Sequence, residues 1–393
     1  MSEEVFIVGA ARTPIGNFNG AFSGVSATNL GARAIEGALG NGGVAPSDID
    51  DVLMGCVLPA GLGQAPARQA ALGAGIPTGT PCATVNKVCG SGMKTAMMAI
   101  DALSAGSAQI AVAGGMEAMT NAPHLLPTGR TGIKFGHGEV LDHMAYDGLE
   151  DAYQSRTAMG VFAEKCAREW KFSREEQDAY SIRSVERAQA AIKDGTFADE
   201  IITVDVKTRK GVVTVTDDEK PGLVSSEKIP ALRPAFEKDG TVTAGNASAI
   251  SDGAAALVLA TGQSVSDKDL TPIARIVGHA AHAQEPEWFT TAPVACMGKL
   301  LTKVGWSADQ VDLFEINEAF SVVPLAAMRE LNLPAEKVNV FGGAIALGHP
   351  IGASGSRIVV TLLNALKKTG GKRGVASLCI GGGEATALAV ELV

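Results

Sequence analysis

Ala111-Val112-Ala113-Gly114-Gly115-Met116-Glu117-Ala118 returns in outline as Leu378-Cys379-Ile380-Gly381-Gly382-Gly383-Glu384-Ala385. Each segment reads as an apolar strand that runs into a glycine corner. Upstream of each, a Gly/Ser-rich turn opens a helix: Cys89 to Leu103 in one half, Gly352 to Leu366 in the other. Further upstream, Ser47-Asp48-Ile49-Asp50-Asp51-Val52-Leu53-Met54 is matched by Ser307-Ala308-Asp309-Gln310-Val311-Asp312-Leu313-Phe314, a polar turn leading into a short apolar strand. A strand–helix–strand unit written twice predicts two similar α/β domains related by a pseudo-twofold, with a site where their loops meet.

The segment between the halves differs in character. Residues 119 to about 145 are loop-like, with Asn121-Ala122-Pro123-His124, Pro127-Thr128-Gly129-Arg130 and Gly136-His137-Gly138. Ser173-Arg174-Glu175-Glu176 is a capping box that starts a helix. Its stripe is Ala179, Ile182, Val185, Ala188 and Ile192, and Gly195 ends it. Strands are expected over 201–216, around the turn at Lys210-Gly211. Ala254 to Ala260 is an apolar strand that belongs with the first half. The expected organisation is a first α/β domain over 1–118 and 250–270, an inserted loop domain over 119–249 placed to cover a ligand, and a second α/β domain over 271–393.

The 393 residues are enough for two or three packed units, and 46% hydrophobic against 19% charged predicts a well-buried globule. A net charge of −9 argues against a nucleic-acid binder. The six cysteines form no C-x-x-C pair, which in so long a chain reads as reduced thiols. With no apolar run near the ~20 residues of a membrane span and no secretory pattern ahead of Val5-Phe6-Ile7-Val8, a cytoplasmic location is expected.

Three glycine nests carry the chemistry. Cys89 lies in Val88-Cys89-Gly90-Ser91-Gly92, at a helix start whose partial positive charge is expected to lower the thiol pKa. His349 lies between Gly348 and Pro350, where glycines leave the imidazole accessible to take a proton. Cys379 ends an apolar strand and precedes three glycines, which weaken a strand unless something must come close. Asn317, at the end of another strand, orients a water or substrate oxygen or else caps a helix. Glycine-bared N–H groups beside a thiol suit attack on a carbonyl and stabilisation of the oxyanion, which is acyl transfer. His279 and His282 make a poor metal pair, no metal site is expected, and Cys56, Cys82, Cys166 and Cys296 read as packing residues.

Val85-Asn86-Lys87-Val88-Cys89-Gly90-Ser91-Gly92, Asn317-Glu318-Ala319-Phe320, the run from Gly342 to Gly355 and Cys379-Ile380-Gly381-Gly382-Gly383 together resemble the thiolase family. The resemblance covers essentially the whole chain, with four motifs in order. It implies the thiolase fold, two α/β/α-layered domains plus the inserted loop domain. It also implies ping-pong condensation of two acetyl-CoA to acetoacetyl-CoA, and the reverse thiolysis. In that scheme Cys89 is acylated while His349 receives its proton, and Cys379 takes the α-proton of the second acetyl-CoA. One oxyanion hole is implied at His349 with a water held by Asn317, the other at the N–H groups of Cys89 and Gly381.

The resemblance maps Met159, Phe236, Ala244, Ser248, Ala319 and Phe320 onto the pantetheine channel of coenzyme A, with cationic groups at its mouth. Coenzyme A enters as a substrate, and no cofactor is implied. Tyr180 stands where some potassium-dependent members carry a tyrosine, so a potassium site is left open. Residues 123–142 resemble the loop through which members build tetramers, which implies a homotetramer. The chain departs from the short-chain biosynthetic pattern at Ala158-Met159-Gly160 (His-Met-Gly there) and at Phe289-Thr290 (Met-Gly there). It departs again in the arginine-bearing nucleotide loop, which reads Glu219-Lys220-Pro221-Gly222.

Overall fold

The computed structural model describes residues 3–393. The strands of the first half are β1 (Val5–Arg12), β2 (Gly16–Asn17), β3 (Asp51–Gly55), β4 (Cys82–Val85) and β5 (Ile110–Ala118). The intervening chain carries β6 (His124–Leu125), β7 (Leu141–Asp142), β8 (Val204–Thr208) and β9 (Gly211–Val215). Then follow β10 (Ser251–Thr261), β11 (Ala274–Ala283), β12 (Leu313–Ile316), β13 (Arg373–Ile380) and β14 (Glu384–Leu392). The helices are α1 (Ala27–Gly42), α2 (Pro66–Gly73), α3 (Ser91–Ser104), α4 (Met159–Glu169), α5 (Arg174–Lys193) and α6 (Gly262–Asp267). In the second half they are α7 (Ala292–Val304), α8 (Val322–Glu330), α9 (Ala344–Leu347) and α10 (Ile351–Thr369).

The duplication is visible in the pairing. In the first half the strand order is β1-β10-β5-β3-β4, and in the second β11-β14-β13-β12. Each half starts with two antiparallel pairings and then turns parallel, at β5–β3 and at β13–β12. The halves join through β1 and β11, paired only at Phe6–Arg275 and Ile7–Ala274. Strand β10, from residues 251–261, sits between β1 and β5.

Helices α3 and α10 lie between the two half-sheets and touch both. Helices α1 and α2 cover the outer face of the first half, and α7 covers that of the second, with α8 packed against α7. The central layer is possible because its facing residues are small. A Cβ on Gly355 of α10 would stand 2.2 Å from the Met93 backbone nitrogen, and one on Gly92 of α3 would stand 2.8 Å from that of Ser356. The Ser356 hydroxyl donates to the Gly92 carbonyl at 2.8 Å. The two backbones are therefore in contact.

The inserted chain is fastened by buried polar groups. Arg12 of β1 reaches Glu200 at 2.5 Å and both oxygens of Asp218 at 2.7 and 2.9 Å. Helix α5 has the expected capping box at Ser173 and Glu176, and Gly195 follows its end at φ +74°. Its buried face differs from the apolar stripe expected from the sequence. Val185 and Ala188 are buried, but Ala179 is exposed, and Gln177, Asp178, Tyr180, Ser181 and Ser184 are buried instead. Apart from Ser181, which bonds back to the Gln177 carbonyl, these polar side chains meet partners far away in sequence, which periodicity cannot register.

Two substitutions separate close packing from helix propensity. Gly355→Ala has no room and is expected to lower stability by about 1–3 kcal/mol. Gly298→Ala, on α7 with nothing within 4 Å of the added Cβ, is expected to raise it by about 0.5–1 kcal/mol. Urea unfolding of both variants measures the contrast.

Candidate active site

Three residues ahead of α3, the chain turns sharply. Val88 is held at φ +46°, a conformation strained for a β-branched residue. Asn86 Oδ1 accepts from the Val88 N–H at 2.9 Å, while the Ser91 hydroxyl donates to the Val88 carbonyl at 2.7 Å and accepts from the Lys87 N–H at 2.8 Å. This turn presents Cys89 just before the helix. On the opposite side, β13 ends at Ile380, whose side chain fills the space a Cβ on Gly90 would take. The two glycine nests thus pack on each other. The backbone N–H of Gly381 points at the Cys89 sulfur, as does that of Cys89 itself.

Cys89 is half-buried and Cys379 fully buried. The sequence predicted a lowered thiol pKa at the helix start; the structure reverses this. Burial pushes Cys89 up to about 11, against the smaller opposite pull of the two N–H groups, and the nearby Glu117 charge raises it further. Burial, with the adjacent Cys89, drives Cys379 well above the ordinary thiol value. His349 moves the other way. It is buried, not open as its flanking glycines suggested, and burial lowers it to about 3 with help from Arg357. At neutral pH the site therefore holds two thiols and a neutral imidazole able to accept a proton.

His349 is fixed from several sides. Ser354 Oγ lies 2.6 Å from Nδ1 and 3.0 Å from the Pro350 carbonyl, which leaves Nε2 as the ring nitrogen free to exchange a proton. The His349 N–H donates to Ala249 O at 3.0 Å. Gly348 precedes it at φ +119°, where a Cβ would lie 2.2 Å from Ser251 Oγ, so only glycine fits. Asn317 is fully buried and does not cap a helix, since α8 starts at Val322 behind Ser321. Its Nδ2 lies 3.5 Å from both ring nitrogens, and its Oδ1 is buried with no protein partner. A buried orphan acceptor beside a neutral imidazole fits a held water or a substrate donor.

One cavity of about 570 Å³ joins these groups. Cys89, His349 and Gly381 line it, together with Met159, Phe236, Ala244, Ser248, Ala319 and Phe320. Cys379 and Asn317 stand behind that lining. Ala158 and Phe289, two of the positions that depart from the short-chain pattern, also line it. Phe320 is packed edge-on by Phe236 and Phe289, with centroids at 6.0 and 6.3 Å, so the wall is rigid and apolar. The expected cationic mouth takes a different form. Among the described residues that line the cavity, Lys220 is the one cation, and its ammonium turns inward to the Ile345 carbonyl at 2.6 Å.

Two acidic residues escaped the sequence reading. Glu117, buried at the end of β5, accepts from the N–H groups of Val57, Leu58 and Gly352 at 3.0, 3.1 and 2.9 Å. It ties the first half to the start of α10, and burial raises its carboxyl to about 7. Glu318 accepts from Tyr180, Ser184, Asn339 and the Ile345 N–H at 2.8–3.0 Å. A Glu inside an all-apolar strand, and one beside Asn317, were the available signals. The Tyr180 hydroxyl is built into this network: it donates to Glu318 at 2.8 Å and accepts from Asn339 at 3.0 Å. No group of three or more His, Cys, Asp or Glu among the described residues could hold a metal ion.

The high thiol pKa is directly testable. Labelling of Cys89 by iodoacetamide, followed by peptide mass, is expected to speed up about tenfold per pH unit from 7 to 9 without levelling. A plateau below pH 8 would mean that the helix start outweighs burial.

The family model described as "Thiolase, N-terminal domain" matches residues 5–263, and "Thiolase, C-terminal domain" matches 270–392. The chain is 51% identical to acetyl-CoA acetyltransferase 1 of Arabidopsis thaliana, over 99% of this chain and 94% of that one. It is 47% identical to the acetyl-CoA acetyltransferase of Schizosaccharomyces pombe over the full length of both. Among solved structures, the acetyl-CoA acetyltransferase of Bacillus anthracis superposes with a TM-score of 0.97 at 41% identity, covering 100% of this chain and 99% of that one. A thiolase from Ascaris suum in complex with coenzyme A superposes with a TM-score of 0.94 at 44% identity over both chains entire. With both halves matched and a twice-written α/β unit closing over two thiols and an imidazole, the chain belongs to the thiolase family of acyltransferases.

Proposed function

We propose that this protein is an acetyl-CoA C-acetyltransferase, which condenses two acetyl-CoA to acetoacetyl-CoA and free CoA and runs the reverse thiolysis. The observation that carries the reading is the convergence of Cys89, His349 and Gly381 on one apolar cavity, with Cys379 and Asn317 directly behind. The whole-length identity to acetyl-CoA acetyltransferases supports the same substrates.

The protonation states dictate an order of events. Cys89 attacks the thioester carbonyl, and its proton passes to the neutral His349. The tetrahedral oxyanion is held by the N–H groups of Cys89 and Gly381, both of which act on the Cys89 thiol; one such donor is worth about 10²–10³ in rate. The departing CoA thiolate needs a proton. Cys379 cannot be a thiolate at rest, so it supplies that proton and becomes one. The second acetyl-CoA then loses its α-proton to the Cys379 thiolate. The resulting enolate, its oxygen stabilised by protonated His349 and a water on Asn317 Oδ1, attacks the acetyl group on Cys89. Cys89 leaves as a thiolate and recovers its proton from His349. Every proton is returned, and both thiols end as they began.

The pantetheine arm lies along Met159, Phe236, Ala244, Ser248, Ala319 and Phe320, between the sheet corners and the inserted segment. Phe289 lines the same cavity, packed edge-on against Phe320. Both thiols must stay reduced, which suits a cytoplasmic setting.

The test is turnover of 3-ketoacyl-CoAs of increasing length, with acylation of Cys89 followed by mass. The four-carbon substrate is expected to exceed the eight-carbon one at least about tenfold in kcat/KM. Equal rates would assign a broad-range degradative thiolase instead. In the same assay Cys379→Ala is expected to accept an acetyl group on Cys89 yet lose condensation by about 10³-fold or more. An acetyl group recovered on Cys379 of the wild type instead would exchange the roles of the two thiols.

Assembly into a homotetramer is proposed on a separate observation. Residues 123–142 expose Leu126, Ile133 and Val140 by about half, and Phe135 entirely. A second copy of the same loop would cover them. Sedimentation at micromolar concentration is expected to show a tetramer, reduced to dimers by Phe135→Asp.

A further inference from the structure

Lys220 has no role in the chemistry above, yet its amine is placed with care. It leads a short 3-10 turn, Lys220–Gly222, and its side chain runs inward along the cavity wall. Its ammonium donates to the Ile345 carbonyl at 2.6 Å. The N–H of the same residue, Ile345, donates to Glu318 at 3.0 Å. The two peptide units that flank Ile345 are thus gripped, one by a cation at its carbonyl oxygen and the other by an anion at its N–H. That residue belongs to α9, a four-residue helix that leads through Gly348 directly into His349. The adjoining Gly343 N–H is held by Ser184 at 3.0 Å, and Ser184 in turn donates to Glu318. Asn317, the other side chain beside the imidazole, precedes Glu318 in the chain.

We propose that Lys220 is a positioning residue for His349, acting through the Ile345 peptide as one jaw of a clamp whose other jaw is Glu318. The inference rests on the assignment of His349 to proton transfer. It also explains why the nucleotide loop of this chain offers no outward cation at this position: the lysine serves the catalytic loop, not a phosphate.

Burial lowers the Lys220 amine to about 8, partly offset by the Glu318 charge. The sign follows: the ammonium is present below about pH 8 and lost above it, so the clamp loosens on the alkaline side. Glu318 is the charged group that faces Lys220. From α5, Tyr180 and Ser184 address Glu318. Asn339 also donates to Glu318, Glu219 is turned to the N–H groups of Asn17 and Ala21, and Asp218 is paired with Arg12. Cys89 sits at about 11, Cys379 well above the ordinary thiol value and His349 near 3, so none of these three titrates in this window, whereas burial brings Glu117 to about 7 and Glu315, paired with Arg357, to about 8.

The experiment uses the full-length protein, with acetoacetyl-CoA thiolysis measured from pH 6.5 to 10 for wild type, Lys220→Met and Lys220→Arg. Lys220→Met is expected to lose about 10–100-fold in kcat, with KM for CoA within about threefold and partial rescue by methylammonium. Wild type is expected to lose kcat above about pH 8, and Lys220→Arg to carry its activity to higher pH. A raised KM with unchanged kcat in Lys220→Met would make the lysine a substrate contact and overturn the proposal. If neither variant folds, a wild-type kcat that stays flat to pH 10 overturns it, and an alkaline limb near 8 that persists in Glu315→Gln supports it, whereas a limb lost with Glu315 overturns it. A wild type inert toward acetoacetyl-CoA would instead sink the functional reading. Iodoacetamide labelling of Cys89 would then decide about Lys220: slower labelling in Lys220→Met than in wild type supports the clamp, and equal labelling overturns it.

Discussion

The contact on which the site depends is that between the backbones of α3 and α10. Cys89 stands at the start of one and His349 just ahead of the other, and each helix belongs to a different half of the chain. Side chains of ordinary size at Gly92 and Gly355 would push the helices apart by more than the reach of a proton transfer. Gly115 of β5 extends the same constraint, since a Cβ there would lie 2.0 Å from the Gly352 carbonyl. Glu117 then locks the arrangement, because its carboxylate bridges Val57 and Leu58 of the first half to Gly352 of the second. The glycines are therefore structural before they are catalytic. They bring together two segments more than 250 residues apart.

That closeness has an electrostatic consequence. The two thiols and the imidazole are withdrawn from bulk water together, and that withdrawal favours the neutral form of each. A resting thiolate–imidazolium pair, the usual way to activate a cysteine, is not what this interior stabilises. In the proposed mechanism, activation is deferred until substrate arrives, when charge develops at the thioester oxygen within reach of the N–H groups beside Cys89. Neutral resting groups also guard the thiols, since oxidation and alkylation proceed through thiolate.

Much of this was legible in the sequence. The duplication follows from two copies of one pattern, and the three nests follow from glycine clusters around Cys89, His349 and Cys379. The six residues mapped to the pantetheine channel all line one cavity. What stayed hidden has a common physical character. The buried face of α5, the Glu117 bridge and the grip of Lys220 on Ile345 are single polar contacts between residues far apart in the chain. No period or composition encodes such a contact. The thiol pKa was misread for a related reason: a helix start is a local feature seen in sequence, whereas desolvation is set by everything packed around it.

The two thiols now differ for a physical reason. Cys89 faces the cavity and two N–H donors, so it can carry an acyl group whose carbonyl oxygen has partners. Cys379 sits behind it, on the last turn of a fully buried strand, where a bulky acyl group has no room but a proton can move. A thiol with a very high pKa is a poor nucleophile at rest. It is a strong base once a leaving thiolate has taken its proton, and a strong base is what an α-carbon acid demands. The same burial that silences Cys379 between turnovers thus equips it for the proton transfer proposed for it.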